Sequence, residues 1–183
     1  MPPENGKQRS ASWIRMTLFV FLHTMNLWLH LISFALWIGG IAFFLFVFGP
    51  AAHSLPPGSG VQVLDKGRKS LQTLSWIAIN LTLITGVFNL VFRGLATGFQ
   101  FGPGYYAILF IKLFLFLAMV FHHFLQTLKY APKIVSLTDS MAEDIQSWPE
   151  PLLAHWRKWF MLLKINATLG LIVLLLGLGL SRS

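Results

Sequence analysis

The sequence predicts an all-α integral membrane protein, built as an up-down bundle of four membrane-spanning helices. Of its 183 residues, 55% are hydrophobic and 11% are charged, and the mean hydropathy is +0.66. Soluble domains carry about 25% charged residues. Four apolar runs, separated by polar segments, each reach the length of about 20 residues that crosses a bilayer. The predicted spans cover residues 20–49, 71–92, 105–128 and 159–180.

The segment before the first span is polar. Residues 1–12 contain Pro2 and Pro3, so we expect a flexible tail and a helix that begins near Trp13. The apolar run that follows is too long for a signal peptide, and no small-residue cleavage site comes after it. Residues 13–183 are predicted to form one domain.

The first span carries the most informative residues of the chain. His30 and Trp37 are seven residues apart, almost two helical turns, so they share one face. An unpaired polar group in hydrocarbon costs several kcal/mol, so His30 requires a partner. Gly39 and Gly40 allow another helix or a flat ligand to approach the backbone. We expect Pro50 to end this helix and residues 51–69 to form a loop.

The second and fourth spans carry polar or small residues at helical spacing. The second span has Thr82, Thr85, Asn89 and Arg93 on one stripe. A glycine-rich turn, residues 94–104, follows it. The stripe of the fourth span consists of Asn166, Gly170, Val173 and Gly177. Such residues commonly form hydrogen bonds and close contacts between helices in membranes.

The third span places three functional candidates on one face. Lys112, Met119 and His123 follow at spacings of seven and four residues, whereas His122 points about a quarter-turn away. We expect at least one of the two histidines to face the interior, and we choose His123. The polar segment that follows, residues 129–151, is predicted to be a loop that includes a short surface helix.

Charge distribution indicates the partners and the orientation of the chain. The formal net charge is +8, and the 14 basic residues are spread over short segments, which is typical of loops beside anionic lipid and not of nucleic-acid binding. The side without the termini carries eight basic residues against five, which favours cytoplasmic loops and non-cytoplasmic termini. Cysteine is absent, so any metal must use other ligands.

The depths of the polar residues decide which of them can meet. The first and third spans run in the same direction, and aligning their apolar centres places His30 and Lys112 within roughly 5 Å of one level. Asn89 and Arg93 end the second span on that same side. His123 lies about 16 Å deeper than Lys112, so it is poorly placed to share one iron with His30. His122 or His123, with Asn80, Lys164 or Asn166, would form a second site.

Three segments of the chain resemble the CopD-type copper-resistance membrane domains. WLHLISFALWIGG, with His30 and Trp37, is similar to the first helix of that family. LITGVFNLV around Thr85 and YYAILFIKLFLFLAMV around Lys112 resemble its second and third conserved segments. The resemblance covers residues 27–180 and implies a protein of the bacterial inner membrane.

The pattern of His30, Trp37, Gly40 and Lys112 also resembles the HemJ-type protoporphyrinogen oxidases, which are four-helix membrane proteins that bind haem b. This resemblance implies functional roles for His30 and Lys112, and it aligns a late third-helix histidine near His123. The chain departs from that family at Gly49-Pro50, and it lacks the Asn-Glu-x-Pro signature near the last helix.

Two functions follow, and we prefer the first. In a haem b protein His30 is an axial ligand, the glycines and aromatics form the slot, and Arg93 or Lys112 meets the propionates. Lys112 can itself ligate only when neutral. Such a protein exchanges electrons with quinone or a partner subunit, or oxidises a porphyrin.

In the alternative, the chain handles copper. Cu(I) accepts His and Met ligands without thiolates, and the candidates are His23, Met25, His30, Met119, His122 and His123. This ladder of ligands has a gap between His30 and His123. A third reading is a structural subunit of a larger membrane complex, whose polar stripes serve only for packing.

Overall fold

The computed structural model describes residues 6–141 and 145–180, with side chains for residues 12–141 and 145–177. The described part is helical and contains no strand. Four of its helical segments are long and apolar enough to cross a membrane: Ser12–His53, Pro57–Thr97, Pro103–Asp139 and Glu150–Gly177. The predicted all-α four-helix bundle is confirmed. These segments are called the first to fourth spans below.

Every span is longer than predicted. The second, third and fourth spans extend chiefly on the side of the 140–149 loop, whereas the first span extends chiefly toward the N-terminus. The helix Pro57–Thr97 has 41 residues and measures about 60 Å, roughly twice the thickness of the hydrocarbon core. The fourth helix begins at Glu150. The prediction that residues 51–69 form a loop is wrong. Their charged residues keep this segment out of the hydrocarbon core, but they do not prevent it from forming a helix. Val61, Leu64 and Leu71 continue a buried stripe at helical spacing.

Two π-helical turns carry the first and third spans past their prolines. Phe44–Phe48 precedes Pro50, and Leu125–Tyr130 precedes Pro132. In a π turn the backbone bonds reach five residues back, and the Gly49 N–H donates to the Phe44 carbonyl. The prediction that Pro50 ends the first helix is wrong, because the widened turn accommodates the proline and a short helix continues over Gly49–His53.

The third span likewise continues into the segment predicted as a loop. The helix Pro103–Phe124 is followed by the π turn and then by Ala131–Asp139 without a break. The predicted short surface helix is therefore an extension of the third span. The remaining loop connects residue 139 to residue 150, and its described residues, 140–141 and 145–149, are not helical.

The first helix begins at Gly6, seven residues before the predicted start at Trp13. Lys7, Gln8, Arg9 and Ala11 are good helix formers, and they extend a helix that the apolar run has already nucleated. The prediction of a flexible tail lies outside the described residues for positions 1–5. Residues 6–12 are helical, and their flexibility stays a prediction.

The spans form two antiparallel hairpins, one from the first and second spans and one from the third and fourth. The "loop side" denotes the end with the 140–149 loop, and the "terminal side" denotes the end with both termini. The buried apolar core runs from the loop side only as far as Phe34, Ile79, Phe116 and Val173, one on each span.

The interior changes character beyond the end of that core. Toward the terminal side, the buried side chains among the described residues are Ser33, Thr82, Thr85 and Tyr105, apart from glycines. All four carry a hydroxyl group. The terminal half of the bundle therefore has a polar interior, and this is where His30 lies.

Candidate cofactor site

His30 makes a hydrogen bond across the first hairpin that determines its tautomer. Its Nδ1 lies 2.9 Å from Thr85 Oγ1. The Thr85 hydroxyl donates to the Leu81 carbonyl at 2.5 Å, and a hydroxyl has only one hydrogen to donate. When that hydrogen is used for Leu81, Thr85 Oγ1 accepts from His30, and this corresponds to the tautomer in which Nδ1 carries the proton. The Nε2 of the neutral ring keeps its lone pair for another partner.

The ring of His30 lies against the backbone of the second span at Gly86. A Cβ atom added at Gly86 would lie 3.2 Å from His30 Cε1 and 3.7 Å from Nδ1. Only a residue without a side chain leaves this space for the imidazole. Thr85 and Gly86, adjacent in sequence, thus provide the hydrogen bond and the flat seat that orient His30.

Asn26 is a member of the site that the sequence analysis missed. Its Nδ2 donates to the Thr85 carbonyl at 2.9 Å and to Asn89 Oδ1 at 2.8 Å. Asn26 lies one turn before His30 on the same face, and that spacing was the available signal. Asn89, a predicted site residue, is thereby paired with Asn26 one turn beyond Thr85.

Lys112 approaches the level of His30, as the depth calculation predicts. The rings of Trp37 and Phe116 are 6.1 Å apart, which aligns the first and third spans. His30 lies seven residues from Trp37 toward the terminal side and Lys112 lies four from Phe116, a difference of about 4.5 Å in depth. Lys112 is half-buried, and its Nζ lies 3.5 Å from the Cβ position of Gly177.

Arg93 lies at the terminal end of the site, beside the turn between the second and third spans. Its guanidinium carbon is 4.6 Å from the centre of the Tyr105 ring. A cation over an aromatic face is held by the quadrupole of the ring. Among the described side chains of the second and third spans, Arg93 and Lys112 are the two cations in the polar half of the bundle.

Trp37 and Gly40 do not line a slot beside His30. Trp37 is fully buried and packs against Phe34 and Phe116, with its Nε1 unpartnered by protein atoms. The space at Gly40 is filled by Leu71 and Leu74, since an added Cβ would lie 3.2 Å and 3.1 Å from their methyl carbons. Of the two predicted neighbours of Gly40, another helix or a flat ligand, the second span is the one found at this position.

His123 lies inside the bundle, in a separate site toward the loop side. It is 5% exposed, its ring contacts Trp76 at 4.9 Å, and its Nε2 has no partner among the described residues. A cavity of about 10 Å³ adjoins it, bordered also by Gln72, Ser75 and Gln126. That volume holds about one water molecule.

His122 and Met119 belong to the contact between the third and fourth spans. His122 Nδ1 is 3.2 Å from Asn166 Oδ1, and Asn166 Nδ2 donates to the Met119 carbonyl at 3.2 Å. Met119 is fully buried, and its methyl carbon lies 3.3 Å from the Cβ position of Gly170. The predicted small-residue stripe of the fourth span therefore serves helix packing here.

The candidate metal ligands do not converge. Among the described residues no three His, Asp or Glu side chains are grouped so that they would hold a metal ion. His123 lies seven residues on the loop side of Phe116, and His30 lies seven residues on the terminal side of Trp37, which separates them by about 20 Å in depth. Met25 is 54% exposed, and His23 packs against Phe92 with ring centres 5.5 Å apart. The predicted series of copper ligands is therefore interrupted between His30 and His123.

No protein-family model, curated protein or solved structure matches this chain. The resemblances to the CopD-type and HemJ-type families remain predictions from the motifs quoted above.

Proposed function

We propose that this chain is a haem b protein of the membrane, with His30 as an axial ligand, that acts in electron transfer or oxidoreduction. The observation that carries the proposal is the bond from His30 Nδ1 to Thr85 Oγ1. It leaves the Nε2 lone pair available, and a histidine that ligates iron usually donates its other ring N–H to a protein acceptor in this way.

The polar surroundings of His30 support this proposal. The apolar core stops at Phe34 and Phe116, on the loop side of His30. Beyond it the hairpins present hydroxyl and amide groups, and no described residue there belongs to the core. A haem has apolar edges to contact Phe34 and Phe116 and charged propionates that require cations.

Each of the site residues has a role in this proposal. His30 would ligate the iron, and Thr85 and Gly86 would orient its ring. Asn26 donates a hydrogen bond to the Thr85 carbonyl and so fixes the backbone there. Lys112 would pair with a propionate or, when neutral, would ligate the iron, and Arg93, which lies over the Tyr105 ring, would be the second cation near a propionate. The haem supplies one-electron iron chemistry. Quinone or a partner subunit is the proposed electron donor or acceptor.

The visible absorption spectrum of the purified protein tests the proposal. We expect a Soret band, with sharp α and β bands after reduction, in the wild type and none in His30→Ala. His155→Ala is the matched control. That histidine lies on the loop side with its Nδ1 bonded to the Pro151 carbonyl, so the variant should keep the full spectrum.

The variant Lys112→Met tests whether Lys112 lies near the haem. A changed Soret position or reduction potential with haem retained indicates a residue beside or on the iron. If purified His30→Ala keeps a full wild-type haem spectrum, the assignment of His30 is wrong and the first span is structural.

Copper handling is the second candidate, favoured by the unpartnered Nε2 of the buried His123 and by Met119 one turn away. Both are ligands that Cu(I) accepts. A colourless wild-type protein that retains copper through purification, and loses it in His123→Ala, would support this candidate over haem.

A further inference from the structure

A groove on the loop side is unrelated to the His30 site. It has a volume of about 530 Å³ and lies between the end of the first span and the start of the fourth. His53, Arg157 and Lys164 line its polar part, and Leu45, Phe160 and Met161 line its apolar part. One open groove thus combines basic and apolar walls.

The level of the groove corresponds to the boundary of the bilayer. Its floor follows the first span from Leu45, in the apolar run, to His53, where that helix ends. Trp148 and Trp156 also line it, and tryptophan is enriched at the headgroup level of membranes. One end therefore faces acyl chains and the other end faces headgroups.

The polar wall carries positive charge. Arg157 is 3.6 Å from Glu150, but the two side chains are 68% and 73% exposed, and such pairs are weak in water. Lys164 adds a second cation almost two turns deeper, and its long side chain can extend toward the interface. With one carboxylate against these two cations, the wall favours an anion.

The aromatic wall is rigid. His53 Nδ1 donates to the Gly49 carbonyl at 2.8 Å, and its ring lies 4.7 Å from the Trp148 ring. These contacts join the end of the first span to the 140–149 loop. The groove is therefore formed before any ligand binds, which lowers the entropy cost of binding.

We propose that this groove binds one anionic phospholipid, with its phosphate at Arg157 and Lys164 and an acyl chain along Leu45, Phe160 and Met161. A soluble anion would use only the basic wall. A zwitterionic lipid would place an ammonium group near two cations. An anionic phospholipid satisfies both the charge and the apolar surface.

The experiment measures lipid binding to the purified full-length protein by native mass spectrometry, with phosphatidylglycerol and phosphatidylcholine as probes. The groove variant is Arg157→Gln with Lys164→Gln. We expect it to bind phosphatidylglycerol about 30-fold more weakly than wild type, since each basic residue near an anionic lipid contributes about fivefold. The affinity for phosphatidylcholine should change little.

The control variant loses the same charge outside the groove. Lys129 and Lys158 are exposed on the loop side and do not line it, so Lys129→Gln with Lys158→Gln should bind like wild type. An equal loss in both variants would overturn the proposal, because it would indicate general surface attraction. Displacement of the lipid by inorganic phosphate at equal concentration would overturn it too, because the apolar wall would then contribute nothing.

A third variant tests the apolar wall with all charges intact. Leu45→Trp fills the acyl end of the groove, and we expect it to weaken phosphatidylglycerol binding about tenfold or more, the order of losing several buried methylene groups. Unchanged lipid binding in this variant, with an unchanged helical circular dichroism spectrum, would contradict the proposed path of the acyl chain.

Discussion

The hydroxyl of Thr85 is the residue-scale feature on which the proposed function depends. It accepts from His30 and donates to Leu81, so it selects one tautomer of the ring. Valine has the same shape, but its side chain can neither accept nor donate a hydrogen bond. The histidine would then be free to rotate or to change tautomer.

Thr85→Val should therefore lower haem retention by about tenfold to 100-fold, the usual cost of losing the partner of a metal-bound histidine. The matched control is Thr85→Ser, which keeps the hydroxyl and should stay close to wild type. Haem content per protein after purification is the measurement. Equal retention in Thr85→Val and wild type would show that the hydroxyl does not orient the ligand.

A substitution at Gly86 tests the contact between the His30 ring and the second span. An alanine there would place its Cβ 3.2 Å from His30 Cε1, so the ring must move by a few tenths of an ångström. We expect Gly86→Ala to shift the Soret band or to lose haem. Gly39→Ala is the control, because a Cβ at Gly39 meets nothing within 4 Å and alanine favours a helix by about 1 kcal/mol over glycine. A Gly86→Ala protein with wild-type spectrum and haem content would contradict this placement of His30.

The second span is the element that joins the two halves of the molecule. On the loop side it carries a buried ion pair, in which Arg68 donates from Nε to Asp65 at 2.8 Å and from Nη1 to Gln72 at 3.0 Å. The Arg68 side chain is 2% exposed and the Asp65 side chain is 6% exposed. On the terminal side the same span carries Thr85.

Asp65→Asn should lower the free energy of unfolding by about 3–5 kcal/mol, because it leaves the Arg68 charge buried without a counter-ion. Lys69 also pairs with Asp65, at 2.9 Å, but its side chain is 57% exposed. Lys69→Gln should therefore cost less than about 1 kcal/mol. Unfolding of the purified protein in mixed micelles, followed by circular dichroism, measures both. Similar costs for the two variants would contradict the burial of this pair.

At the scale of the whole molecule, helices of about 60 Å cannot lie within a hydrocarbon core of about 30 Å. In the second, third and fourth spans the excess length lies on the loop side, where Val61, Ile134 and Leu152 continue the core beyond the apolar runs. The bundle is therefore a membrane domain joined without a hinge to a helical layer on one face. The groove proposed for phospholipid lies where the two meet.

The orientation predicted from charge places this layer in the cytoplasm and the termini outside. The chain has no cysteine, so single cysteines at exposed turns report the side directly. With a membrane-impermeant maleimide, we expect Gln100→Cys to be labelled in intact cells and Ser54→Cys only after the membrane is opened. The reverse pattern would place the termini in the cytoplasm.

The number, order and approximate positions of the spans were predictable from the sequence. The bilayer imposes them, because about 20 consecutive apolar residues are needed wherever a helix crosses. The depth of Lys112 relative to His30 also followed from the rise per residue alone. Helix ends were not predictable in this way. Charged residues at 57–70 and two prolines mark the limits of the hydrocarbon, whereas backbone bonding and buried stripes decide where a helix stops.

Only the tertiary structure decided which side chains meet. His30 and Thr85 are separated by 55 residues, and their contact depends on how the first hairpin rotates and packs. The same packing filled the space at Gly40 with leucines and left the space at Gly86 for an imidazole. Periodicity places a residue on a face of its own helix. Which helix packs against that face depends on how the side chains of two helices fit together. The sequence of one helix alone does not contain this information.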